Sequence, residues 1–261
     1  MRLLPAFLLA LPLMAQAPNG PVQQPIPVLR VYGPGGPAPA MKEAAQTFSA
    51  KRQVDVQVTA GPTPLWKEKA MQDSDLIFSG SEYMMTDFVQ KDLPGILRPE
   101  AVQTLYLRPS AILVRPGNPK KIHGVRDLAK PGMRVLVVQG AGQMGLWEDV
   151  AGRNGDVGLV RAFRKQIVLS AANSAEARKS WIADPTLDAW LIWNIWQKAN
   201  PELADAIPTE PELTVYRSCG AALTTRTSQP VLAAEFLAFL GSAEGRAIFA
   251  KWGWMTGSGQ D

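Results

Sequence analysis

The sequence predicts an α/β protein made of two units in series, each a mostly parallel sheet flanked by helices. Three observations carry this. Runs of strand length and segments of helical periodicity alternate along the chain. The connections between them are short and punctuated by Gly, Pro and Ser. The run Val135-Leu-Val-Val138 is apolar without alternation, as in a parallel strand buried on both faces.

The elements follow in order. Val28 to Tyr32 reads as the first strand. Met41, Ala44, Ala45 and Phe48 recur at helical spacing, which predicts a helix from Pro39 to about Ala50. Val54, Val56 and Val58 alternate with Asp55 and Gln57, the period of a strand. A helix over Leu65 to Gln72 is followed by a strand at Leu76 to Phe78 and a helix over Tyr83 to Val89. After Pro109 the rhythm resumes with a strand at Ala111 to Val114, a short helix at Val125 to Lys130 and the strand inside Arg134 to Gln139. Leu146 to Ala151 is helical, and Asn173-Ser-Ala-Glu176 is a helix start. Asp188 to Trp193 is a strand ending at Asn194, and Leu213 to Thr224 contains another. Val231 to Leu240 and Ala243 to Trp252 are the closing helices, separated by Gly241-Ser242.

The junction at Leu107-Arg-Pro109 and the turn from Thr224 to Ser228 are candidate crossings between the units. They give expected bounds of 28–107 with 225–256 for one lobe and 108–224 for the other, with a cleft between. Residues 1–17, MRLLPAFLLALPLMAQA, have the charged, apolar and small-residue parts of a secretory leader, with a cut favoured after Ala15. Its 12 apolar residues, broken by Pro5 and Pro12, are too short to span a bilayer. Export to a periplasm is the expectation. The single cysteine, Cys219, has no disulfide partner in the chain and reads as a small buried hydrophobe. The net charge of +4 is spread along the chain and not gathered in a stripe, which argues against nucleic acid and leaves a mild preference for anions.

Several loops that follow strands are rich in Gly, Ser or Thr: Gly33 to Gly36, Gly61 to Thr63, Ser79 to Ser81 and Gly140 to Gln143. In open parallel sheets, ligands bind at the carboxyl ends of strands, where glycine lets the backbone approach and the next helix offers free amides. The recurrence of such loops predicts a donor-rich shell for a small anion. None of them is a dinucleotide fingerprint or a P-loop. The lone His123 sits in a solvated loop, and one His and one Cys cannot build a His/Cys metal site. No nucleophile elbow is present, and Glu82 is the one acid placed to serve an enzyme, its plainer role being a solvated helix-face carboxylate. Of the tryptophans, Trp193 beside Asn194 is the candidate cleft wall.

Val31-Tyr-Gly-Pro-Gly-Gly-Pro37, Val58-Thr-Ala-Gly-Pro-Thr-Pro64, Asp75-Leu-Ile-Phe-Ser-Gly-Ser-Glu-Tyr83 and Gln139-Gly-Ala-Gly-Gln-Met-Gly-Leu-Trp147 resemble the accessory colonisation factor branch of periplasmic solute-binding proteins. That branch is similar to the molybdate-binding proteins of ABC importers, and the tail from Phe236 to Gly253 resembles many such binders. The resemblance implies a two-lobed type II periplasmic binding fold, no catalysis, no cofactor, and a monomer that closes on a small anion for an importer or chemoreceptor. It implies ligand contacts from Gly35, Gly36, Thr63, Gly142, Gln143, Asn173, Ser174, Trp193 and Asn194, to which the reading of the loops adds Ser79 and Ser81. Gly36 stands where the molybdate binders place a serine, which opens the ligand to a sulfate-like anion, a small carboxylate or an acidic amino acid. Arg217 is the candidate partner for a carboxylate. The rival readings are an enzyme on the same fold and a host-glycan-binding surface protein.

Overall fold

The structure, a computed structural model, describes residues 26–257. The expected leader, 1–17, lies outside the described residues. The chain begins with β1 (Val28–Gly33), α1 (Ala38–Arg52), β2 (Asp55–Ala60), α2 (Lys67–Asp73), β3 (Leu76–Phe78) and α3 (Glu82–Asp87). It continues with β4 (Gln103–Val114), α4 (Val125–Leu128), β5 (Val135–Val138), α5 (Leu146–Ala151), α6 (Val157–Arg164), β6 (Ile167–Ala171) and α7 (Ser174–Ala183). Then come β7 (Ala189–Trp193), α8 (Ile195–Ala199), β8 (Asp205–Pro208), β9 (Tyr216–Leu223), α9 (Pro230–Gly241) and α10 (Ala243–Lys251).

The strands join in the order β2-β1-β3-β9-β4-β7-β5-β6, with β8 also on β4. Parallel pairs sit towards the two ends, β1 with β2 and β3, and β5 with β6 and β7. Antiparallel pairs around β4 and β9 join them. β4 is longer than its expected Ala111 to Val114. Residues Gln103 to Pro109 pair with β9, and Ser110 to Val114 pair with β7, with β8 taking the other edge from Ala111. One strand therefore serves both halves of the sheet, and its change of partners falls at Arg108-Pro109-Ser110.

At that point Ser110 Oγ bonds Thr209 Oγ1 at 3.1 Å and accepts the Val215 N–H, and Thr209 Oγ1 bonds Thr214 Oγ1 at 2.8 Å. These hydroxyls stitch the second connection to the first. The expected bounds place β9 in the second lobe, yet β9 pairs with β3 and with Gln103 to Pro109. We propose the second crossing at 209–215 instead of 224–228.

The sequence explains the helix that matters most for the site. α1 buries Ala40, Met41, Ala44, Ala45 and Phe48, the stripe its spacing predicts, and ends where Gln53 adopts a left-handed φ of 52°. Phe48 packs against Phe236 of α9 with ring centroids 5.2 Å apart, tying the closing helices to the first unit. Phe236 is fully buried. Phe236→Ala is expected to cost about 3–5 kcal/mol, read as a lowered urea midpoint at unchanged slope.

Candidate functional site

Four of the glycine-rich loops converge on one cavity of about 100 Å³. Pro34 to Pro37 come from the β1–α1 loop, Gly61 and Pro62 from the loop after β2, and Gly80 from the loop after β3. Gly142 and Gln143 follow β5, Asn173 to Ala175 open α7, and Met84, Trp196 and Arg108 complete the lining. Both α1 and α7 aim their N-termini at it. The Asn173 side chain caps α7 by accepting the Glu176 N–H at 3.0 Å, leaving the first-turn amides of Ser174 and Ala175 without helical partners.

Arg108 dominates the electrostatics. It is 1% exposed. Its Nη2 donates to the Gly80 carbonyl, while Nε and Nη1 have no partner among the described residues. Among the described residues, no acidic one lines the cavity. The guanidinium lies over the rings of Trp193 and Trp254, 4.8 and 5.2 Å from their centroids. Burial pushes its pKa down to about 9, with the Cys219 thiol opposing and Arg217 adding to the shift. The cation is thus stripped of water, cushioned by two aromatic faces and left without a counter-charge.

Three glycines make room for it. A Cβ on Gly36 would lie 2.8 Å from Nη1, and one on Gly80 or Gly142 would lie 3.0 or 3.2 Å from Nη2. The absence of a serine at Gly36 has its explanation here: the space a side chain would fill is taken by a guanidinium.

Of the expected ligand contacts, Gly35, Gly36, Gly142, Gln143, Asn173 and Ser174 line the cavity, and Thr63 lines an adjoining one. Ser79 and Ser81 stand behind the wall. Ser79 is fully buried, and Ser81 Oγ is committed to capping α3 through the Met84 N–H. Trp193 is not a cleft wall. It is fully buried beneath Arg108, because β7 is buried along its whole length, and Trp196, three residues on, is the tryptophan that lines the cavity. Asn194 is turned away to donate to the Gly253 carbonyl at 2.6 Å. Arg217 is occupied by an ion pair with Asp149 and does not line the cavity. Glu82 and His123 are exposed and outside it. Cys219 is buried, and burial pushes its thiol up to about 12.

Sequence reasoning passed over Arg108 because an arginine beside a proline reads as a solvated junction. The available signal was its setting: Leu105, Tyr106, Leu107 and Pro109 around it include no acid with which to pair.

The sequence profile of the bacterial extracellular solute-binding proteins matches residues 29–255. The chain belongs to this family. Among solved structures, PEB3 from Campylobacter jejuni is 35% identical, with a TM-score of 0.80 over 87% of this chain and 99% of that one. PEB3 bound to L-phospholactate is 36% identical, with a TM-score of 0.81 over the same shares. These matches place the chain with the accessory colonisation factor-like branch. The periplasmic molybdate-binding protein of Azotobacter vinelandii is 17% identical, with a TM-score of 0.67 over 88% of this chain and 100% of that one, a likeness of fold. The fold is that of the type II periplasmic binding proteins. No curated protein matches the chain.

Proposed function

We propose that the protein is an exported, periplasmic receptor that captures a small anionic solute in the Arg108 cavity for an importer or a chemoreceptor. The observation that carries this reading is the guanidinium itself. A buried cation with two unpartnered donor nitrogens and no carboxylate beside it is costly unless something else supplies the negative charge. Planar guanidinium donors favour carboxylate and phosphate oxygens, and the amides at the head of α7 add uncharged donors. The donor-rich shell expected from the loops gains one built-in charge, and it comes from Arg108 in place of the expected Arg217. The L-phospholactate held by PEB3, an organic phosphate, supports this ligand class. In this reading the protein binds its ligand without turning it over, as befits a family of solute-binding proteins.

The test is titration calorimetry and thermal shift with L-phospholactate, sulfate, molybdate, aspartate and citrate. A cognate anion at a hundred times its Kd raises stability by about 2.7 kcal/mol. If none of them shifts Tm, the reading fails. Gln143→Leu is expected to weaken the cognate anion about tenfold, since Gln143 is 5% exposed and lines the cavity. Thr63→Val, in the adjoining cavity, is expected to leave the affinity of a bare oxyanion within twofold.

A further inference from the structure

The anion cavity does not end at the guanidinium. It shares Pro62, Met84 and Asn173 with a second, larger cavity of about 340 Å³, so the two form one cleft. The chemistry of the second part is different. Its walls include Phe88, the half-exposed rings and chains of Tyr83 and Met144, and two carboxylates, Asp87 and Asp92. Among the described residues, no arginine, lysine or histidine lines it.

A backbone irregularity puts the carboxylates together. α3 runs into a π-helical turn over Phe88–Asp92, closed by the Leu93 N–H on the Phe88 carbonyl at 2.9 Å. On a regular α-helix, residues five apart lie about 140° apart around the axis, whereas the wider π turn brings them close to one face. Asp87 and Asp92 therefore both reach the cavity wall. Asp87 is held by Lys91 in an i, i+4 pair at 2.7 Å, and Asp92 makes no ion pair among the described residues. The balance at this end is one negative charge, beside an exposed aromatic ring suited to a cation.

We propose that the second cavity is a subsite for a cationic amino group, so that the solute is a small zwitterion: an anionic head on Arg108 and an ammonium-bearing tail between Tyr83 and Asp92. The inference rests on the anion-binding reading and adds the charge and size of what lies beyond the head. The unpartnered, buried Arg108 at one end of the cleft and the acidic, aromatic wall at the other are complementary to a dipolar ligand. A bare tetrahedral oxyanion would leave the larger part of the cleft unused.

The experiment compares, by calorimetry on the full mature chain, ω-aminoalkyl phosphates of two to five methylenes with alkyl phosphates of the same lengths. At the best tether length the amine is expected to bind at least tenfold tighter than its alkyl counterpart. In Asp92→Asn that advantage is expected to fall below threefold while the alkyl phosphate keeps its wild-type affinity, a control that also shows the variant folded. Tyr83→Ala is expected to reduce the same advantage. Alkyl phosphates binding with no advantage for any amine would overturn the zwitterion proposal and leave the anion site standing. An advantage that survives in Asp92→Asn would also overturn it. Failure of both series to bind would overturn the zwitterion proposal, and the anion reading falls with it where the anions of the screen above also fail to shift Tm.

Discussion

Arg108→Met is expected to abolish anion binding and, in the same protein, to raise the melting temperature of the unliganded state. The first effect follows from removing the one charge in the cavity lining; a loss of at least a hundredfold in affinity is the expected readout. The second follows from burial. A guanidinium held down to about 9, well below its ordinary value, carries a penalty on the order of 5 kcal/mol in its charged form. Replacing buried ions by apolar side chains of similar volume stabilises by about 1–4 kcal/mol, and the aromatic faces under Arg108 and its bond to Gly80 already offset part of the penalty. A gain of about 2–3 kcal/mol, near 5–10 °C in Tm for a chain of this size, is expected. The pH dependence has a definite sign. Above about 9, up to the ordinary guanidinium range, the unfolded chain holds this proton and the folded chain releases it, so the contribution of Arg108 to stability rises with pH across that window. Below 9 the penalty is fully present, and it is there that a bound anion removes it. Comparing Tm of wild type and variant at pH 7, with and without a cognate anion, checks both halves. An unliganded variant less stable than wild type would show that Arg108 serves the fold and not the ligand.

Gly140→Ala is the second substitution with a large expected effect. Gly140 follows β5 and the Ala172 carbonyl follows β6, on neighbouring parallel strands joined by the Gln139 N–H to the Ala171 carbonyl at 2.9 Å. A Cβ at 140 would lie 2.1 Å from the Ala172 oxygen. That neighbour is backbone, with no side chain to swing aside, so the loop must move. A loss of about 3 kcal/mol is expected, roughly 10 °C in Tm. The displaced segment leads directly into Asn173 and the N-terminus of α7, so affinity is expected to fall together with stability. Gly35→Ala is the control: nothing stands within 4 Å of its added Cβ, and Tm is expected to stay within about 1 °C. Equal Tm values for the two variants would refute the close-approach account.

The contrast between what could be read from the chain and what could not has physical causes. β5 and α5 were legible because a continuous apolar run between glycines admits few other structures, and α1 because its apolar stripe is regular. The first half of β4 was not. Gln103 to Pro109 has no clean alternation and ends at a proline, since it is paired along one edge by β9 and meets the other only at the bridge from Leu107 to Met255. β6 alternates between half-buried and exposed and went unplaced. The loops around the cavity were found by composition, because glycine is needed wherever backbone must approach closely. Arg108 was missed because its burial depends on Trp193 and Trp254, distant in sequence, meeting beneath it. Trp193 was misread for the same reason: a local Trp-Asn pair carries no information about which side of the strand the cavity occupies.

The shared strand has a mechanical consequence. If the half-sheet carrying β1 to β3 rotates against the half-sheet carrying β5 to β7, β4 is the axle, and Arg108 is mounted where that axle changes partners. A group on the pivot has almost no lever arm. The walls at Gly36 and Gly142, which belong to opposite halves, would sweep towards and away from a guanidinium that stays nearly in place. The solute's charge would then be seated before the jaws meet, and the seat would not have to be rebuilt when they part.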